Sequence, residues 1–390
     1  MEVIVHKKRM TAIIRTVVDR KNNNQHPFNL PQATVPQILV PEDLRANKVE
    51  LACFYFFLCI YMRGGIVSKT VFKKLLKIRD ENPWMFDPFE VSTKSEREIW
   101  QVLRRRIGWD AENAARFWFE NSKRLVNHWG GNPLSILDGM TNYEEACRRF
   151  PNKSGSARKR SKASHAGDLF RSSDEGFFGY GYKMVSMILY FLDWEGLLKP
   201  RFPYPSPADF HHYRIFIANR GLSIKTNNGR SVRYSEEISE KIRASVLDFI
   251  KKERADPVIV SDALWLFSLL MCGESLATVR SDNEIKTSPA PLLDGRVEAK
   301  VAIAQPSPMQ LSRTCGICCF RESCELAIPA APYYRKGIIE HAPRPTHSGV
   351  TEMPRGYEHS PRATRTESGQ EQFLLPGLTS KIENDPDGDT

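Results

Sequence analysis

The chain has 390 residues, 41% of them hydrophobic, which is enough for one large or two modest cores with length left over for tails. Its 56 Lys and Arg against 46 Asp and Glu give a formal charge of +10, which favours a polyanionic partner such as nucleic acid without identifying one. The longest apolar run, Val49 to Met62, is interrupted by Glu50 and falls short of the roughly 20 residues of a bilayer span, so no membrane association is expected and the run predicts a buried core helix.

In chain order, residues 1–34 are polar and Asn-rich after a short apolar start and predict a flexible N-terminal arm. The first ten residues lack the basic start, apolar stretch and cleavage site of a secretory signal. A reducing compartment is therefore expected: the cytoplasm near the nucleoid or, in a eukaryote, the nucleus. From about Pro36, helical periodicity covers 49–62, 71–78, 96–107 and 111–129, with Asp110 placed to cap the last and Gly130-Gly131-Asn132-Pro133 to stop it. Residues 151–168 carry Lys153, Arg158, Lys159, Arg160 and Lys162 with no acidic residue before Asp168. This basic insertion is either a solvated loop or one that follows DNA phosphates. Helical patterns return at 182–191, 209–219, 236–252 and 260–271, and no alternating strand pattern competes, so the fold class is all-α. Residues 329–390, rich in Pro, Gly, Ser, Thr and charge, predict a disordered tail.

Three segments carry chemistry. Phe177-Phe178-Gly179-Tyr180-Gly181-Tyr182-Lys183 leads into an apolar helix. A Gly-x-Gly turn there lets backbone N–H groups approach a phosphate and aims the positive helix end at it, although a tight turn between packed helices reads the same way. Asp209, in Pro207-Ala208-Asp209-Phe210-His211-His212-Tyr213-Arg214, suits the N-cap of the next helix. Of eight cysteines, Cys315, Cys318, Cys319 and Cys324 crowd into ten residues, which in a reducing compartment points to metal ligation rather than disulfides. Cys272 ends the apolar helix containing Trp265-Leu266-Phe267. Four thiolates suit an iron–sulfur cubane and also admit zinc. Cys53, Cys59 and Cys147 predict buried apolar positions.

In this order the segments resemble the helix-hairpin-helix (HhH-GPD) DNA glycosylase superfamily, specifically its endonuclease III-like members with an iron–sulfur cluster. Gly179, Gly181 and Lys183 are in register with the family's Leu-Pro-Gly-Val-Gly-x-Lys, Phe178 standing where the family has proline. Asp209, His211 and Arg214 are in register with Val-Asp-Thr-His-x-x-Arg. Cys315, Cys318 and Cys324 reproduce the last three ligands of Cys-x6-Cys-x2-Cys-x5-Cys, while Cys272 stands for the first, 42 residues upstream of Cys315 instead of six. The resemblance covers about residues 45–325. It implies a two-lobed fold over 35–328, a cluster loop at 315–324 and an insertion at 273–314 between ligands.

The resemblance implies that Lys183 attacks the sugar C1′ of a flipped nucleotide, helped by a helix end and partial burial that disfavour the ammonium. Asp209 would keep that amine neutral or orient a water, and would stabilise positive charge on the sugar. Gly179, Gly181, Arg158, Lys159, Arg160 and Arg214 would contact double-stranded DNA, and Cys272, Cys315, Cys318 and Cys324 would hold a [4Fe-4S] cluster, with Cys319 as the substitute for Cys318. The implied enzyme is a monomeric glycosylase with AP-lyase activity. Two departures stand out: the 26-position interval from Lys183 to Asp209, which includes the proline-rich stretch Leu197 to Pro207, and no evident intercalating glutamine near Tyr61-Met62-Arg63. The insertions also fit a divergent branch, the phage-associated alpha-glutamyl/putrescinyl thymine pyrophosphorylases, which exchange a group on a base that stays attached. An inactive DNA-binding module, with Lys183 a phosphate contact and Asp209 only a cap, is the third reading.

Overall fold

The computed structural model describes residues 2–62, 68–151, 176–225, 236–272 and 318–324, and four short strands between 344 and 373. Among these residues the chain is predominantly helical: α1 (Lys7–Asn22), α2 (Glu42–Ala46), α3 (Lys48–Tyr61), α4 (Ser68–Glu81), α5 (Pro88–Thr93), α6 (Glu96–Arg106), α7 (Ala111–Trp129), α8 (Tyr143–Arg149), α9 (Tyr182–Trp194), α10 (Phe210–Ala218), α11 (Glu236–Glu253) and α12 (Pro257–Cys272). No helix among the described residues is long and apolar enough to cross a membrane. The chain divides into two compact units, one of residues 1–33, 208–245 and 263–390, the other of 34–207 and 246–262.

The second unit is built around α3. Every residue from Leu51 to Tyr61 is buried, so this helix is apolar all round and central. Its aromatic side chains set the packing: Phe57 stacks on Trp118 of α7 at 4.5 Å, and Tyr55 on Phe191 of α9 at 4.9 Å. The Trp118 indole N–H donates to the Met85 carbonyl at 2.6 Å, so its one polar atom is satisfied in the core. Gly130 and Gly131, both at positive φ, end α7 where the sequence places the stop. Asp110 differs from expectation. It stands at the N-cap position in the left-handed region with no side-chain cap bond, and its carboxylate accepts instead from the Asn113 side chain at 2.6 Å.

The first unit corrects the expected arm over 1–34. Residues 7–22 form α1, whose Met10, Ile13, Ile14, Val17 and Val18 are buried. Their i, i+3, i+4, i+7, i+8 spacing makes one apolar stripe, which explains why a segment rich in Lys and Arg is ordered. α1 packs on α10. Gly221, just after α10, permits that approach: a Cβ there would lie 2.7 Å from the Met10 sulfur. β1 (Glu2–Val5) pairs antiparallel with β2 (Leu222–Lys225), a ladder the sequence did not predict. In the tail, β3 (Arg344–Pro345) pairs with β4 (Thr351–Glu352) and β5 (Ala363–Arg365) with β6 (Glu371–Phe373). The remainder of 329–390 lies outside the described residues, as do 152–175 and 273–317.

Candidate active site and cysteine loop

The glycine turn and its lysine belong to the second unit. Gly179 has φ +80°, a conformation that favours glycine, and Gly181 is the N-cap residue of α9. The turn is clamped by a buried amide on α7. Asn121 donates to the Phe178 carbonyl at 3.0 Å and accepts from the Phe178 N–H at 2.7 Å, satisfying both backbone groups as a neighbouring strand would. Phe178 stacks on Phe117 at 6.0 Å with the Arg124 guanidinium 4.8 Å from its ring, and Arg124 also donates to the Gly176 carbonyl. Phe178 is thus held by packing and by its two backbone hydrogen bonds. Beneath the turn, the Tyr180 hydroxyl donates to the Phe56 carbonyl at 2.7 Å, and Phe177 is fully buried.

Lys183 lies in the first turn of α9 and is half-buried. Its Nζ donates to the Met62 carbonyl at the end of α3, 3.4 Å away. Cys59 is buried nearby; burial pushes its thiol up, opposed by a hydrogen bond with Tyr180 and by the Lys183 charge. Phe177 pairs with Pro151, and its N–H donates to the Phe150 carbonyl at 2.6 Å. The insertion carrying Arg158, Lys159 and Arg160 is therefore rooted beside the glycine turn, although those three residues lie outside the described ones.

Asp209 belongs to the first unit and is the N-cap of α10, its carboxylate accepting from the His211 N–H at 2.9 Å. His212 was given no role by the sequence. It is 1% exposed, and its Nδ1 lies 3.1 Å from the same carboxylate oxygen. The signal that finds it is positional: it stands three residues after the cap, where a capping-box partner reaches back. His211 is also buried, with its Nδ1 3.0 Å from the Ser268 hydroxyl and its ring edge-on to Trp265 of α12. The Arg214 side chain lies outside the described residues.

At the other end of α10, Asn219 joins three segments. Its carbonyl accepts from Arg9 of α1 at 3.0 Å, and its side-chain oxygen accepts from Ser323 at 3.1 Å. Ser323 belongs to the turn Cys318–Cys324, which Phe320 anchors by packing on Phe267 of α12 at 5.4 Å, five positions before Cys272. Within the turn, the Phe320 N–H reaches the Cys318 sulfur at 3.4 Å. A hydrogen bond with Cys318 and the nearby Arg20 guanidinium bring the Cys319 thiol down to about 7 against the effect of burial. Among the described residues no three His, Cys, Asp or Glu side chains are grouped to hold a metal ion. Cys315 and the Cys272 side chain lie outside them. Cys53, Cys59 and Cys147 are buried, as the sequence predicts.

Asp209 and the cysteine turn therefore share one unit, at opposite ends of one helix, while Gly179, Gly181 and Lys183 share the other. No protein-family model matches the chain, and no curated protein matches it. A solved structure of a thermostable thymine-DNA glycosylase is similar to it over 68% of this chain and 88% of that one, at 11% identity and a TM-score of 0.38. At that distance the likeness assigns neither an activity nor a residue.

Proposed function

We propose that the chain is a helix-hairpin-helix DNA glycosylase with lyase activity, acting on double-stranded DNA through Lys183 and Asp209. One observation carries the reading: a left-handed glycine, a glycine N-cap and a half-buried lysine in the first helical turn, locked by Asn121. The arrangement offers the positive end of α9 to a phosphate while directing an amine from the same turn. The sugar carbon is unreachable in the stack, so the nucleotide is flipped out first. The neutral Lys183 amine then adds to C1′ as the C1′–N bond breaks, and the base departs with the bonding electrons and a proton. Asp209 stabilises the positive charge that develops on the sugar. Ring opening leaves an imine between Lys183 and C1′, and elimination of the 3′ phosphate from that imine cuts the strand.

Cys272, Cys315, Cys318 and Cys324 would hold a [4Fe-4S] cluster, the thiolate-rich turn against α12 being the supporting observation. When bound, it supplies iron–thiolate bonds that cross-link the turn to α12; zinc in the same thiolates would do likewise. The chain's own residues already brace α10 from that side, through Ser323 and Asn219.

The test is borohydride trapping on a panel of duplexes carrying single damaged, mismatched or abasic nucleotides. The wild type should give a stable protein–DNA crosslink, and Lys183→Ala should abolish it with DNA affinity nearly unchanged, because one lost cation removes only a small part of the phosphate attraction. Absence of a crosslink with every duplex would overturn the lyase mechanism. Free base without a crosslink would shift the nucleophile to a water. Intact DNA bearing an altered base, after an amine and an activated pyrimidine are supplied, would favour the base-modifying transferase.

A further inference from the structure

We infer that the exposed face of α6 and the cavity beside it form a second nucleic-acid site, which takes a single strand by stacking one of its bases on Trp84. The inference goes beyond the glycosylase reading and needs none of its catalytic residues. The cavity, of about 360 Å³, belongs to the second unit and is lined by Trp84, Lys94, Glu98, Gln101, Val102 and Arg105. That volume lies at the small end of ligand pockets, which run from about 300 to 1,000 Å³, and suits one planar ring with its sugar. Trp84 is half-buried in the short helical turn Pro83–Phe86, and the Lys94 ammonium lies 5.6 Å from the centre of its ring.

The charge beside the cavity is not balanced. Arg97, Gln101, Arg104 and Arg105 are exposed and fall at i, i+4, i+7 and i+8, so they share one face of α6. A second aromatic–cation pair flanks that face, the Arg104 guanidinium lying 4.8 Å from the centre of the half-buried Trp100 ring. From Lys94 to Arg106 there are five cations against two carboxylates, Glu96 and Glu98, and among the described residues only Arg106 of the five has an ion pair, with Glu81. The Glu98 carboxylate is committed to the capping box, accepting from the Ser95 N–H at 2.8 Å and from its hydroxyl at 2.7 Å. The helix dipole accounts for cations in the last turn of α6, but it disfavours Arg97 in the first. Cations without ion pairs beside an aromatic-walled cavity are what a single strand requires: phosphates on the cations and a base on the ring. A duplex does not meet the second requirement, because its ring faces are stacked on one another.

The probe is a fluorescent thymidine oligomer of about ten nucleotides, which carries no lesion and has no complementary strand. Wild type should bind it, with an affinity that falls as salt rises. Trp84→Leu keeps an apolar side chain against the core but removes the stacking face, and should weaken binding about 5- to 100-fold, whereas Trp84→Phe should stay within about threefold of wild type. Arg97→Gln with Arg105→Gln should weaken binding and reduce the salt slope by about 1.4, at about 0.7 per lost phosphate contact. This pair alters only exposed side chains, so it tests the site even where Trp84→Leu fails to fold. A blunt duplex of the same length should bind wild type and Trp84→Leu equally. No binding of the oligomer at low salt, an unaltered affinity in a folded Trp84→Leu or in the arginine pair, an equal loss on the blunt duplex, or equally effective displacement by polyglutamate would each overturn the inference. Base release plays no part in these readouts, so failure of the glycosylase reading leaves them standing, and their failure leaves it standing.

Discussion

The two units hold their chemistry in different ways. In the second, Lys183 rests on a scaffold that is almost wholly apolar and aromatic, with Phe56, Phe150, Phe177 and Tyr180 packed beneath the turn and one buried amide, Asn121, fixing its backbone. In the first, the helix carrying Asp209 adds polar contacts to its buried Ile215, Phe216 and Ile217: His211 with Ser268, Tyr213 with Ser239, Asn219 with Arg9 and Ser323. An apolar scaffold suits an amine that must react in its neutral form. A polar scaffold suits a carboxylate that must stay ionised and oriented. The contrast also locates fragility: polar networks fail when one member is lost, and apolar packing degrades gradually.

The largest effect is expected at the cysteines proposed to hold the cluster. Anaerobically purified protein should be brown with about four iron per chain, and Cys324→Ser should bleach it and lower the soluble yield. Because the turn is tied to Asn219 and Phe267, the loss should propagate to α10 and destabilise the first unit more than any single substitution in the second. A colourless protein with stoichiometric zinc would replace the cluster by a zinc site, and a metal-free folded protein would end both versions. A smaller effect is expected at the buried amide clamp of the apolar unit, Asn121. Asn121→Leu preserves volume but strips partners from the Phe178 N–H and carbonyl, and should cost about 2–4 kcal/mol in denaturant unfolding. It should also weaken crosslinking by Lys183, because the glycine turn loses its anchor. An unaltered midpoint would show that aromatic packing alone sets the turn.

Much of this was legible in the sequence, for physical reasons that also mark where reading stopped. α3, α7, α9 and α12 follow from periodicity or continuous apolar runs, and their observed ends lie within a few residues of the predicted ones. The glycine turn and the Asp209 cap were legible because each needs a specific residue type at a specific position. α1 was missed although its stripe of Met10, Ile13, Ile14, Val17 and Val18 is a regular helical pattern; the surrounding Lys, Arg and Asn obscured it. The β1–β2 ladder joins four-residue segments more than 200 positions apart, too short for a period-2 signal. Asn121 was illegible for a related reason: it clamps a turn 57 positions away, and nothing local distinguishes it from a solvated asparagine. His212 lies between the two, visible as a capping-box position once Asp209 is taken as the cap.

The smallest expected effect tests whether the apolar unit keeps its carboxylates away from its lysine. α9 is 13 residues long, roughly 18 Å between its ends. Lys183 lies at one end, and at the other Asp193 binds Arg201 and Tyr204, while Glu195 accepts from Tyr55 and lies 3.6 Å from Arg45. Burial raises the Glu195 carboxyl above its ordinary value, opposed by the Tyr55 hydrogen bond and the Arg45 charge. An acid whose folded value is raised binds more protons folded than unfolded. Its contribution to stability is therefore full below the ordinary carboxyl range, about 4.3, and is lost as pH rises through the raised value. Glu195→Gln cannot titrate, so its stability relative to wild type should increase over that window, measured by urea unfolding between about pH 4 and pH 7. If wild type instead gains on the variant as pH rises, the Arg45 ion pair outweighs burial, and α9 ends on a carboxylate held charged. The crosslinking rate proposed for Lys183 should be indifferent to this substitution at every pH, because Glu195 lies at the far end of the helix.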